Sequence, residues 1–241
     1  MRLFLFIYGR MHPGDLPIPG YLIQTDAGQN ILVDTGFPRS YVEAPRHPPG
    51  LTLDIRPEDT VAARLAEIGL SPADIDMVVC SHFDDDHSGN HDLFPGATFL
   101  VQREHFELAR AGHPRFAATR PAWDHPALNY VLVDGDAEIA PGVELLSTSG
   151  HVPGHQSVLL HLPVTGAVLL AVDAVMDASM ADADTRQIWI TDWSEAPGSE
   201  TKIRESTRKV ASIAAREGAV VIHGHDAGQW SGLRLSPDFY E

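Results

Sequence analysis

At 241 residues, with 44% hydrophobic and 21% charged side chains, the chain has an ordinary globular make-up and room for a sizeable core within one domain spanning residues 1–241. Its 17 basic against 33 acidic residues leave a formal charge of −16, which argues against the basic footprint of a nucleic-acid binder. No apolar run approaches the ~18 residues of a membrane span, so no membrane association is expected.

Residues 2–8 are apolar but too short for a signal peptide and lack a small-residue cleavage site. Residues 3–8 therefore read as a first buried strand. Strands follow at 21–25 and 30–33, set apart by Pro-Gly and Asp-Ala-Gly turns. Val61, Leu65 and Ile68 share one face of a helix over 59–68, which Gly69 can end. A buried strand at 76–80 comes next, then a strand at 98–102 and a helix at 104–111. Residues 113–128, with three prolines and two aromatics, read as an ordered loop placed to cover a site. The second half has strands at 130–133, 143–147, 157–162 and 167–172, a long helix over 200–217 closed by Gly218, and a last strand at 219–222. This order fits sheets carrying helices on their outer faces, built from two similar halves. Cys80, the only cysteine, reads as a small buried hydrophobe at a strand end; it permits no intramolecular disulfide and suits a cytoplasmic protein.

Directly after the 76–80 strand comes Ser81-His82-Phe83-Asp84-Asp85-Asp86-His87, which sets two imidazoles and three carboxylates in six positions from His82. Imidazole nitrogen and carboxylate oxygen are zinc ligands, and carboxylates also suit manganese and iron. Alone, such a run could be a solvated acidic turn. Its place at the end of a buried strand argues for a site, because layered α/β proteins put their sites there. Four further clusters also follow strands: Asp34-Thr35-Gly36, the segment 147–155 with His151 and His155, then Asp173, then His223-Gly224-His225-Asp226.

With these residues in place, the chain resembles the metallo-β-lactamase-fold hydrolases, and within them the N-acyl homoserine lactonases. The family's first metal motif is His-x-His-x-Asp-His, and His82, Asp84, Asp86 and His87 stand at those four places. His151, Asp173 and His225 match the later ligands in order and approximate spacing, and Asp34 matches a motif beneath the site. Phe94-Pro95-Gly96-Ala97, Gly150-His151-Val152-Pro153-Gly154-His155 and Ser236-Pro237-Asp238-Phe239-Tyr240 extend the likeness over nearly the whole chain. The resemblance implies an α/β (α+β) fold, a four-layer αβ/βα sandwich with a binuclear site at one edge between the sheets. It implies one divalent ion on His82, Asp84 and His151 and a second on Asp86, His87 and His225, with Asp173 bridging. Zinc is the first expectation for both. It further implies opening of a lactone ring by a metal-bound hydroxide, with Asp86 shuttling the proton, and a homodimer. Asp34 and Asp226 are expected to orient ligand imidazoles, with His155 and His223 as further supports, and no ligand role is expected for His91.

Two positions depart from the family pattern. Asp84 stands where histidine is usual, so a third carboxylate lowers the net charge of a two-ion site from about +1 to about 0. That substitution is expected to weaken Lewis acidity and to move the site toward manganese or iron. Met176 stands three residues after Asp173, where the lactonases carry a tyrosine that helps polarise the substrate carbonyl; a thioether cannot donate that hydrogen bond. Either the metal polarises alone or another donor, such as Tyr130, enters from elsewhere. Other readings stay open at this point: hydrolysis of another lactone, an aryl ester, a cyclic amide or a thioester, a redox role on the same fold, and a metal-binding module without catalysis.

Overall fold

A computed structural model describes residues 1–47, 50–184 and 199–241. Residues up to Val133 form β1 (Arg2–His12), β2 (Leu16–Gln24), β3 (Asn30–Val33), β4 (Thr52–Asp54), α1 (Val61–Glu67), β5 (Met77–Val79), α2 (Asp85–Ser88), β6 (Thr98–Gln102), α3 (Arg103–Arg110), α4 (Arg120–Trp123) and β7 (Asn129–Val133). Their strands make one sheet in the order β4-β1-β2-β3-β5-β6-β7. Strands β3, β5, β6 and β7 run parallel, and the β1, β2 and β4 pairings are antiparallel. The rest forms β8 (Ala137–Ala140), β9 (Val143–Ser147), β10 (Gln156–Leu162), β11 (Gly166–Val172), α5 (Ser199–Glu217), β12 (Val220–His223) and α6 (Ala227–Trp230). This second sheet has the order β12-β11-β10-β9-β8, with β12 returning parallel to β11.

Strand periodicity sorts the side chains into layers. On β1, Leu3, Leu5 and Ile7 face the second sheet and pack with Leu145, Leu160 and Leu170, whereas Phe4, Phe6 and Tyr8 face outward to Val61 and Leu65 of α1. The outer face of the second sheet, through Leu159 and Leu169, meets Val210 and Ile213 of α5. Each such side chain, fully buried, contributes roughly 1.5–3 kcal/mol, so these apolar faces hold the sandwich together. Helix, sheet, sheet, helix: the four-layer αβ/βα expectation is met. No helix among the described residues is long and apolar enough to cross a membrane.

Several elements differ from their predicted limits for physical reasons. The first strand runs on to His12 by way of a bulge between Ile7 and Arg10, where Gly9 adopts φ 135°. Strand β2 begins at Leu16 despite Pro17 and Pro19, because among the described strands that stretch pairs only with β1. Strands β4 and β8 are short edge strands without a periodic signal. The first helix starts at Val61 rather than residue 59, since the Thr60 side chain caps it by accepting from the Ala63 N–H.

Candidate metal centre

The predicted clusters meet at one edge of the sandwich, where β3, β5, β11 and β12 end and the β9–β10 connection crosses. Beneath them lies Asp34, fully buried at φ 60°. Its carboxylate accepts from the Ser81 N–H (2.8 Å) and the Ser81 hydroxyl (2.6 Å), and it lies 2.8 Å from His87 Nδ1. The Ser81 hydroxyl also sits 2.9 Å from His82 Nδ1. One carboxylate therefore orients two imidazoles, one directly and one through a serine, and turns both Nε2 atoms toward the centre. His225 is oriented likewise, its Nδ1 2.8 Å from the Pro17 carbonyl.

Three groups of donors converge there: His82, Asp84 and His151; His82, His87 and Asp173; and Asp86, His87 and His225, the ligand atoms of each group lying within 4.8 Å of one another. Asp173 stands between the outer two, its Oδ1 3.2 Å from His225 Nε2 and its Oδ2 3.3 Å from His151 Nε2. His82 Nε2, His87 Nε2 and Asp173 Oδ1 are buried with no hydrogen-bond partner among the described residues. Buried polar atoms are rarely left so, and nitrogen and oxygen lone pairs aimed at one point fit a divalent cation. Electrostatics agree. Burial alone would lower the His87 pKa, but Asp86, Asp173 and Asp34 raise it well above the usual value. A field that favours a proton there equally favours a metal cation. Burial would raise the Asp173 carboxyl, and His225, His87 and His151 hold it well below the usual range.

Asp84 has a partner that its sequence neighbours do not announce. Arg115, from the loop after α3, forks onto its carboxylate with Nε 2.6 Å from Oδ1 and Nη2 2.5 Å from Oδ2. Burial would raise the Asp84 carboxyl, but the guanidinium holds it well below the usual range. The charge expected to be lost through Asp84 is thus offset by Arg115, which corrects the prediction of a less positive site. The 113–128 loop does reach the site, and this arginine is what it delivers.

The metallo-beta-lactamase superfamily model matches residues 13–225. The chain belongs to that superfamily. An N-acyl homoserine lactonase of Bacillus sp. is 31% identical over 93% of this chain and 87% of the relative. The N-acyl homoserine lactonase AttM of Azorhizobium caulinodans is 31% identical over 94% and 88%. Among solved structures, an N-acyl homoserine lactone hydrolase with the product N-hexanoyl-L-homoserine bound at its catalytic metal centre superposes with a TM-score of 0.86 at 27% identity, covering 99% of this chain and 98% of that one.

In this member of the metallo-beta-lactamase superfamily the centre floors a cavity of about 300 Å³ whose apolar wall is Met11, Leu16, Phe37, Leu51 and Met176. Asp85 also faces the cavity, its carboxyl pushed up to about 7 by burial and by Asp86 and Asp84. Other predicted supports are placed differently. His155 lies 2.9 Å from the Thr148 hydroxyl and accepts from the Asp173 N–H at 3.3 Å, steadying the central carboxylate. His223 Nδ1 lies 3.2 Å from the Val175 carbonyl, within the loop that carries Asp173. Asp226 orients no ligand; its oxygens cap α6 at Gln229 and accept from the Ala178 N–H. His91 packs away from the centre, 3.0 Å from the Tyr130 hydroxyl. Tyr130 donates to the Trp123 carbonyl at 2.8 Å and does not line the cavity, so it cannot replace the missing tyrosine.

His105 escaped prediction because it stands in α3, apart in sequence from every candidate ligand cluster. Fully buried, it accepts from the Phe83 N–H at 2.8 Å, and its Nδ1 lies 2.8 Å from the Pro153 carbonyl. Burial, with His82 nearby, pushes its pKa down to about 3, which keeps it neutral and able to do both. It ties the His82–His87 turn to the His151 loop. Gly154 lets the two approach, since a Cβ there would sit 2.6 Å from the His105 backbone nitrogen. His105→Leu is expected to lower metal affinity about 10–100-fold, the range for losing a group that positions ligands. A competition titration with a chromogenic chelator measures it, and parental affinity would remove His105 from this role.

Proposed function

We propose that this protein is a metal-dependent hydrolase that opens a lactone ring, an N-acyl homoserine lactone or a related one, within a single domain spanning residues 1–241. The observation that carries the reading is the double donor cluster joined by Asp173 at the floor of an apolar-walled cavity. Relatives across more than nine-tenths of the chain are N-acyl homoserine lactonases, and a solved neighbour holds N-hexanoyl-L-homoserine at its metal centre. His82, Asp84 and His151 would hold one divalent ion and Asp86, His87 and His225 the other, with Asp173 between them. The donor chemistry favours zinc, and the extra carboxylate Asp84 admits manganese or iron. A cytoplasmic setting suits the lone buried thiol Cys80, and a homodimer is carried over from the family resemblance.

When bound, the two ions supply Lewis acidity that polarises the ring carbonyl and makes water nucleophilic near neutral pH. The chain's own residues do the rest. The wall of Met11, Leu16, Phe37, Leu51 and Met176 binds the apolar part of the substrate and keeps bulk water off it. Asp86 faces the reacting centre with its carboxyl ionised: burial would raise its pKa, and His87 and His225 lower it. It accepts a proton from the attacking water and returns it to the leaving ring oxygen. Met176 offers no donor to the carbonyl, so substrates beyond acyl-homoserine lactones, including other lactones and aryl esters, belong in the same test.

That test is elemental analysis of the purified protein, followed by a lactone and ester panel in a pH-indicator assay with zinc, manganese or iron restored. Two ions per chain and acid release from at least one lactone are expected. Two tightly held ions with no turnover across the panel would favour the non-catalytic module instead. Asp86→Asn is expected to lower kcat about 100-fold at matched metal occupancy, the lower end of what a general acid–base contributes. Parental turnover at full occupancy would take the proton shuttle away from Asp86.

A further inference from the structure

The two donor clusters differ in one respect that bears directly on metal binding. Around Asp86, His87 and His225, no lysine or arginine among the described residues hydrogen-bonds a ligand atom, and carboxylate and imidazole face one another at 3.4 and 3.7 Å. Around His82, Asp84 and His151, a guanidinium is already in place. Asp84 Oδ2 lies 3.2 Å from His82 Nε2 and 3.1 Å from His151 Nε2, spacings that suit three corners of one coordination shell. The same oxygen lies 2.5 Å from Arg115 Nη2, and that nitrogen lies 3.1 Å from His151 Nε2. The second Asp84 oxygen is taken by Arg115 Nε. Arg115 and Asp84 side chains are only 21% and 14% exposed, so water screens this contact little.

A neutral imidazole has one lone pair to give at Nε2, and it serves a guanidinium N–H or an ion but not both. A carboxylate can serve two cations, though with less charge for each, and the two cations repel. We propose that Arg115 acts as a resident cation at the first position. It competes for Asp84 and His151, so that this position takes its ion more weakly than the position formed by Asp86, His87 and His225. The inference rests on the two-ion reading above and adds an order to it: the Asp86 position fills first, and the Asp84 position fills only as His151 Nε2 is released from the guanidinium. A site filled last is the one whose occupancy follows the ambient metal supply.

The experiment is zinc titration of chelator-stripped protein in competition with a chromogenic chelator, on the full chain and on Arg115→Met, Arg115→Gln and Arg115→Lys. The full chain should show two steps at least tenfold apart. Met and Gln, which remove the charge, should tighten the weaker step at least tenfold and leave the tighter one within about threefold. Lys, which keeps the charge, should stay near the parent. Cooperative thermal unfolding of each stripped variant, read alongside, shows that it is folded; Met and Gln are independent routes to the same charge removal. Equal steps in the parent, a weaker step that Met and Gln leave unchanged or loosen, or equal tightening by Lys would each overturn the inference. A single zinc in the parent and also in the neutral variants would instead overturn the two-ion reading itself. One zinc in the parent and two in the neutral variants would support the inference most directly.

Discussion

Asp173→Ala is expected to reduce turnover by more than about 10⁴-fold, the combined scale of lost electrostatic and acid–base contributions, and to drop bound metal below one ion per chain. Its carboxylate faces both clusters: Oδ1 approaches His87 and His225 while Oδ2 approaches His82 and His151. Its removal would leave four inward-facing imidazoles without the anion between them, so any cation there meets less negative charge at either position. The backbone is arranged for this residue. Val172 just before it adopts φ 49° and ψ −128°, a conformation that costs a β-branched residue of order 1–3 kcal/mol. The bend turns Asp173 off the end of β11 into the centre, and Gly224 leaves it room, since a Cβ there would lie 3.0 Å from Asp173 Oδ1. Elemental analysis and kinetics on the same preparation measure both effects. Two retained ions with turnover within tenfold of the parent would refute the bridging role.

The largest effect on stability is expected at Asp34. Asp34→Ala should destabilise the metal-free protein by about 3–5 kcal/mol, the cost of breaking one side of a buried charged network. It strands the Ser81 N–H, the Ser81 hydroxyl and His87 Nδ1 together. It also places alanine at φ 60°, which aspartate and asparagine tolerate better. For a chain of this size such a loss corresponds to a fall in Tm of roughly 6–20 °C, read by scanning calorimetry on stripped protein. Asp34→Asn, which keeps one acceptor oxygen and suits the backbone, should lose much less. Equal Tm values for the parent and Asp34→Ala would show that the network does not hold the site together.

Much of this centre was legible because its information is local. His82, Asp84, Asp86 and His87 lie within six residues at the end of a buried strand, so their types, spacing and place together point to a ligand turn. The pattern of apolar strands ending in His or Asp placed Asp34, His151, Asp173 and His225 at a common edge. Strand positions followed from short apolar runs bounded by turn residues wherever a strand was central. Where that signal thinned, prediction failed: Thr52–Asp54 and Ala137–Ala140 are edge strands too short to show such a run, and Pro17 and Pro19 hid the first residues of β2, where the strand pairs with β1 alone among the described strands. Tyr130 and Asp226 were judged by residue type. The fold gave their polar atoms to a neighbouring carbonyl and to a helix cap.

Residue types and their short-range spacing marked a candidate metal site, because metal chemistry demands particular atoms and a turn of six residues can supply several of them; the layered fold and the full candidate ligand set followed from the family resemblance those residues carry. The charge around Asp84, at the first proposed metal position, was decided only in three dimensions. Counting residues made Asp84 one carboxylate too many, yet Arg115, thirty-one positions further along, forks onto it within hydrogen-bond distance. Charge interaction depends on separation in space and on the dielectric between partners. A sequence lists the charges, and only packing sets how far apart they stand.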